Sequence, residues 1–303
     1  MNARPLLIAV MGPTASGKTT LAEQIADQTG AALISADALQ AYRGMDIGTA
    51  KPQNKERYDL LDLKQPNESY GLGEFCRLAG ELLNGYWERR RNVVVVGGTG
   101  LYIRGLFEEY ATLDGSPSAE VRNELNGQLR TLGLPSLVQR LLALDETAAS
   151  RIDLGNPVRV TRALERLLDP RPNIPIKLPE FAKLKLGLTV ETEELSRRIE
   201  ERTQIMVQNG WVDEVRSLVE RGYGRSDPGF RAIGYSEIAD SLVNETGLEE
   251  AIATTIVETR QYAKRQRTWL RSEPNLVNIA SGAASFDEAR SQIMRIAMGS
   301  ING

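Results

Sequence analysis

Gly12, Gly17, Lys18 and Thr19 stand in the spacing G-x-x-x-x-G-K-T, directly behind the apolar run LLIAVM. Glycines at these offsets let backbone N–H groups turn inward as a nest for anionic oxygens, and the helix that follows adds the positive end of its dipole. The stretch Gly12, Pro13, Thr14, Ala15, Ser16, Gly17, Lys18 and Thr19 is therefore expected to cradle phosphates. Lys18 supplies a point charge, and Thr19 can offer its hydroxyl to Mg²⁺. Such a loop specifies phosphate binding and leaves the reaction open.

Other residues narrow the chemistry. The apolar run VVVVGGTG ends in Gly97, Gly98 and Thr99. Nucleotide-hydrolysing proteins usually place a magnesium-holding aspartate at that strand end. Its absence argues against a motor or GTPase and leaves a small-molecule kinase possible. Asp37, in LISADALQAY, lies just past another strand pattern, where open α/β sheets bind ligands. It is either a general base or the N-cap of the next turn. Asp46, in GMDIGTAKP, reads as a loop-structuring acid. Arg231, in FRAIGYSE, is either a clamp for a second phosphate or a surface arginine. The stretch ETRQYAKRQRTWLR carries Arg260, Lys264, Arg267 and Arg271 along one helical face, with Arg265 beside them. That face suits a nucleic-acid backbone or simply solvent. Arg122, Arg159 and Arg162 add further positive charge.

The elements that must position these groups alternate at first. A strand at LLIAVM, a helix from Lys18 to Thr29, a strand at ALIS, a long loop, a helix from about Gly73 to Arg90 and the strand VVVVGG follow in turn. This is the pattern of a doubly wound α/β core with a parallel sheet. From about Leu113 only helical patterns appear, in SAEVRNELNGQLRTL, PSLVQRLLAL and NPVRVTRALERLL. The proline-rich Asp169–Glu180 reads as the exit from a helical insertion. An alternating strand, LKLGLTV, then returns, followed by helices at about Glu191–Gln208, Trp211–Arg221 and Leu248–Arg271, the run NLVNIA and a last helix. The expected organisation is an α/β P-loop core over 1–112 and 182–303, interrupted by an all-helical insertion over 113–181.

Composition sets further bounds. With 41% hydrophobic and 25% charged residues, the 303-residue chain is that of an ordinary globular protein. No apolar run is long enough for a membrane span, and no signal peptide is read at the start. A single cysteine, Cys76, excludes a disulfide framework and a multi-cysteine zinc site. A cytoplasmic location is expected. There are no histidines, so proton transfer near neutral pH falls to a carboxylate, lysine, tyrosine, the cysteine or the substrate. The net charge of −3 gives no global sign of nucleic-acid binding, which must rest on local patches.

Taken together, GPTASGKT, ISADALQAYRGMDIGTAKP, VVGGTGLYIRGL, NPVRVTRALE, FRAIGYSE and TRQYAKRQRTWLR closely resemble the tRNA dimethylallyltransferases, also called tRNA isopentenyltransferases. The matches keep the family's order from residue 6 to about 271. The resemblance implies a P-loop NTPase-like core and transfer of a dimethylallyl group from its diphosphate to N6 of the adenosine 3′ of the tRNA anticodon. It also implies that Gly12–Thr19 hold the diphosphate, that Thr19 helps hold Mg²⁺, and that Asp37 accepts the proton. Thr99 and Arg231 are then expected to line the channel and stabilise the leaving group. Contacts to the tRNA anticodon stem-loop are implied for Asp37, Ala38, Leu39, Gln40, Thr99, Arg122, Val158, Arg159, Val160, Thr161 and Arg162, joined by Arg260, Lys264 and Arg267 of the basic helix. A monomer without membrane association is expected. The chain departs from the family at Ala38, where a serine is usual, and in ERYDLLDL, which lacks the usual histidine. Adenylate isopentenyltransferases, small-molecule kinases and non-catalytic RNA-binding modules are the competing readings.

Overall fold

The computed structural model describes residues 4–110, 112–113, 118–170, 173–174, 177–244 and 247–299. In chain order the elements are β1 (Leu6–Met11), α1 (Lys18–Thr29), β2 (Ala32–Ser35), β3 (Tyr58–Asp59), α2 (Leu72–Glu88), β4 (Val93–Gly97), α3 (Gly100–Phe107) and β5 (Thr112–Leu113). There follow α4 (Ala119–Leu144), α5 (Ala148–Arg151), α6 (Pro157–Leu168), β6 (Asn173–Ile174) and β7 (Ala182–Thr189). The chain closes with α7 (Thr192–Gln208), α8 (Trp211–Glu220), α9 (Tyr235–Asn244), α10 (Leu248–Arg271), β8 (Leu276–Ala280) and α11 (Ser285–Gly299).

Two compact units emerge, one from 1–110 with 176–303 and one from 111–175. The larger unit is built on a six-stranded sheet in the order β3-β2-β4-β1-β7-β8, with every pairing parallel. A parallel sheet must be covered on both faces, and β1 shows the consequence. Leu6, Ile8 and Val10 pack on one face with Leu21 and Ile25 of α1 and Ala289 and Ile293 of α11. Leu7, Ala9 and Met11 pack on the other with Phe75, Ala79 and Leu83 of α2 and Ile103 of α3. Each fully buried residue of this size contributes about 1.5–3 kcal/mol. The alternation in β7 does not separate core from solvent: Lys185 is buried, and its Nζ donates to Glu108 and to the buried Glu273, each at 2.8 Å. A third cluster, around Trp211, Tyr235, Phe230 and Met45, fastens the loop after β2 to α8 and α9.

The smaller unit is helical. The two patterns expected over 118–144 form two helical segments, together called α4, that meet at the non-helical Gly133 (φ 76°) just before Pro135. Leu125, Leu137 and Leu141 of α4 bury against Val160 and Leu164 of α6. Asn156 caps α6, accepting from the amides of Val158 and Arg159, and Pro157 occupies its first turn. The short strands β5 and β6 pair antiparallel. Of the proline-rich Asp169–Glu180, residues 171, 172, 175 and 176 lie outside the described residues, as do 114–117.

Candidate active site

The phosphate loop occupies the turn between β1 and α1. Gly17 precedes the helix in the left-handed region (φ 87°), and Ala15 shares that region (φ 61°). The Ser16 amide donates to the Pro13 carbonyl at 3.2 Å, closing the loop. The Ser16 hydroxyl is buried without a hydrogen-bond partner.

Thr14, Lys18 and Thr19 from this loop line a cavity together with Asp37, Gln40, Arg202, Tyr262 and Gln266. Lys18, Thr19 and Arg202 also line a more open cleft on the outer side of the loop, with Arg198. The electrostatics of the cavity are those of an anion site. Burial is the main cause that lowers the Lys18 pKa to about 8; the neighbouring Arg202 lowers it further, and Asp37 opposes both. Burial likewise lowers the pKa of Arg202, with Asp37 again opposing. Two desolvated cations so placed favour a ligand that brings negative charge between them.

Asp37 follows β2, and its carboxylate is divided. One oxygen, Oδ1, accepts from the Leu39 amide at 3.0 Å, which is the turn-capping role. Asp37 also lines the cavity, so the turn-capping role leaves it within reach of a ligand there. Thr99 begins α3 and stands behind this turn: its hydroxyl accepts from the Ala38 amide at 3.2 Å. Thr99 itself is not among the lining residues. The glycine at the end of β4 has a steric cause. A Cβ on Gly97 would lie 2.1 Å from the Ala36 carbonyl oxygen, so no aspartate can stand at this strand end.

The other expected residues divide. Gln40 lines the cavity, but its amide is already engaged: Oε1 accepts from Ser35, and Nε2 donates to the carbonyls of Thr49 and Ala50. It braces the GMDIGTAKP loop. Asp46 is structural as expected, accepting from Lys51 and Lys55. Arg231 is exposed in a short 3₁₀ turn and does not line the cavity, so the structure does not bring it to Lys18 and Asp37. On α10, Lys264, Arg265 and Arg271 are exposed, whereas Arg260 pairs with Glu200 at 2.7 Å and Arg267 donates to Thr192 at 2.6 Å. Both partners, Glu200 and Thr192, come from α7, which the local sequence does not reveal. In the smaller unit Val158 is 61% exposed, and Arg159 and Arg162 are exposed too. Val160 is wholly buried and Thr161 nearly so, which corrects the expectation that they touch RNA. Arg122 pairs with Glu165 at 3.4 Å.

Sequence reading missed Arg202, Tyr262 and Gln266. Leu195, Ile199, Thr203 and Met206 form the inward stripe of α7, and Arg202 falls beside it one turn after Arg198. A cation on the edge of an apolar stripe was the available sign. Gln266 likewise falls on the inward face of α10, one turn after the buried Ala263.

Among the described residues, no cluster of three or more acids, cysteines or histidines could hold a metal. Among the hydroxyl oxygens at the loop, that of Thr19, which lines the cavity, is a hard donor. That fits magnesium, which is commonly held by few protein ligands plus substrate phosphates and water.

The sequence profile of the IPP transferase family matches residues 40–273, and that of the isopentenyl transferases matches residues 5–61. A tRNA dimethylallyltransferase of Geobacter metallireducens is 41% identical over 299 residues, covering 95% of this chain and 96% of its own. The crystal structure of a tRNA isopentenylpyrophosphate transferase of Bacillus halodurans matches with a TM-score of 0.71 at 36% identity, over 98% of this chain and 97% of its own. That of a Staphylococcus epidermidis tRNA isopentenylpyrophosphate transferase gives 0.67 at 31% identity, over 96% and 99%.

Proposed function

The chain belongs to the IPP transferase family, the tRNA dimethylallyltransferases, and from that premise we propose that it transfers a dimethylallyl group from dimethylallyl diphosphate to N6 of the adenosine 3′ of the anticodon in tRNA. The observation that carries this reading is the cavity lined together by a phosphate loop, the half-buried Arg202 and Asp37. Behind it, the β4 end has no room for the carboxylate that nucleotide hydrolysis uses.

The adenine amine is a weak nucleophile, so alignment with the allylic carbon supplies much of the acceleration. As the N6–C1 bond forms, the bond from C1 to the diphosphate oxygen breaks. The Asp37 carboxylate takes the proton released by the amine, and with no histidine in the chain it is the base at hand. Lys18 and Arg202 meet the growing charge on the departing diphosphate, the place the sequence had reserved for Arg231. The Thr19 hydroxyl would hold Mg²⁺, which would supply further neutralisation of the diphosphate charge. Thr99 acts through the Asp37 turn. The target base must leave the anticodon-loop stack to reach a cavity of this kind. The exposed Lys264, Arg265 and Arg271 of α10 and Arg159, Arg162 and Val158 of the helical unit are the RNA-facing residues. The helical unit, residues 111–175, is the part given over to the anticodon stem-loop.

The test is incubation with dimethylallyl diphosphate, Mg²⁺ and unmodified tRNA whose anticodon is followed by adenosines, with mass spectrometry of the released nucleosides. N6-isopentenyladenosine in the tRNA is expected. Product on free AMP alone would make the protein an adenylate prenyltransferase, and ATP turnover without prenylation would make it a kinase.

A further inference from the structure

Gln266 is 7% exposed, and its side-chain amide is used at both ends on the backbone of two different loops. Its Oε1 accepts from the Thr14 amide in the phosphate loop at 2.8 Å. Its Nε2 donates to the Gly98 carbonyl after β4 at 3.0 Å. A buried amide satisfied in this way is costly to leave half-paired, so each contact fixes the other.

What lies beyond each contact gives the arrangement its chemistry. The Thr14 hydroxyl is the partner of the Arg202 guanidinium, so holding the Thr14 backbone holds the acceptor that orients Arg202. Gly98 leads into Thr99, whose hydroxyl receives the Ala38 amide beside Asp37. Gly98 is also a glycine for this reason: a Cβ there would lie 2.5 Å from Gln266 Nε2. One side chain thus reaches both the group that meets the leaving diphosphate and the turn that carries the base.

We propose that Gln266 is a positioning residue that sets the separation between the diphosphate cradle and Asp37, and so the alignment of the displacement. The proposal rests on the reaction assigned above. Gln266 does its work through Thr14 and Gly98 and takes no part in bond making. Misplacement of reacting groups by about 1 Å can cost 10²-fold in rate.

The experiment compares the intact protein with Gln266→Met, which removes both contacts at similar length, and Gln266→Glu. The glutamate keeps an acceptor for the Thr14 amide but replaces the donor to Gly98 with a second oxygen. Inorganic diphosphate binding is measured by calorimetry. Steady-state kcat and the KM for tRNA are measured well below each protein's Tm. For Gln266→Met, kcat is expected to fall by about 10²-fold and the diphosphate Kd to rise by about tenfold, with the tRNA KM unmoved. For Gln266→Glu, kcat is expected to fall at least as far and the diphosphate Kd to rise more than for Gln266→Met, because the added carboxylate lines the anion site. A Gln266→Met protein with a lower Tm but parental kcat and diphosphate Kd would show a packing residue and overturn the proposal. A Gln266→Glu protein with parental kcat would also overturn it. Should Gln266→Met fail to fold, Gly98→Ala, which drives a methyl group into the same amide, carries the same expectation for kcat. If the parent forms no prenylated adenosine, the assigned reaction falls, and the diphosphate titrations still decide whether Gln266 holds the cradle.

Discussion

Asp37 caps a turn with one carboxylate oxygen while it lines the cavity proposed to hold the substrate. With Oδ1 held by the Leu39 amide, the carboxylate has a fixed orientation, and a fixed base needs little reorganisation when it accepts a proton. Asp37→Asn keeps the turn-capping oxygen and loses the base. Prenyl transfer is expected to fall by about 10²–10⁴-fold, the range general base catalysis supplies. The tRNA Kd measured by filter binding should stay near that of the parent. Near-parental turnover in this variant would remove Asp37 from the mechanism. Cys76 is the opposite case, a potentially nucleophilic group with no access. Burial raises its thiol pKa to about 12, so at pH 8 the thiolate is scarce as well as shielded. A disulfide-exchange reagent at pH 8 is expected to leave the native protein unlabelled and to find one thiol once the protein is unfolded; rapid labelling of the native form would contradict the buried placement.

At the scale of elements, β7 and α10 carry the less obvious design. Lys185 and Glu273 are buried together, and Arg104 adds a second contact to Glu273 at 2.9 Å while its guanidinium stacks 4.1 Å above the Trp269 ring. This cluster ties β7, α3 and the C-terminal end of α10 together. Glu273→Ala leaves Lys185 buried with the half-exposed Glu108 as its remaining partner, and is expected to cost about 3 kcal/mol, the low end for a broken buried pair. Urea unfolding reads this directly, and an unchanged midpoint would refute it. The outer face of α10 is cationic where the inner face is bolted down. Lys264→Ala is expected to weaken tRNA binding and to reduce the slope of log K against log salt by about 1. An unchanged slope would leave Lys264 in solvent.

At the scale of the molecule, the chain makes two compact units with separate cores. The antiparallel pairing of Thr112 with Ile174 brings the two ends of the helical unit to neighbouring strand positions, about 5 Å apart. Replacing residues 114–172 with a short Gly-Ser linker is therefore expected to leave the sheet unit folded and still able to bind inorganic diphosphate. Transfer to tRNA should be lost. Efficient tRNA modification by the shortened protein would show that the helical unit is not the RNA-gripping part. Among the described residues no helix is long and apolar enough to cross a membrane.

Sequence by itself determined the phosphate loop, the parallel α/β order and the basic face of α10, because glycine spacing, unalternating β-branched runs and helical periodicity are local properties. It also placed Asp37 at a strand end with its two possible roles. Tertiary structure decided which long-range partners meet. Arg202, from α7, lines the cavity with Lys18, and Gln266, from α10, joins the phosphate loop to the β4 loop. It also turned Val160 inward and set Glu200 against Arg260. None of these follows from spacing along one element, since helix packing sets which residue on an inward face reaches a loop far away in the chain. The phosphate loop was legible because its function is carried by backbone geometry in one turn; the groups that decide what leaves and what attacks come together only when the sheet and its covering helices pack.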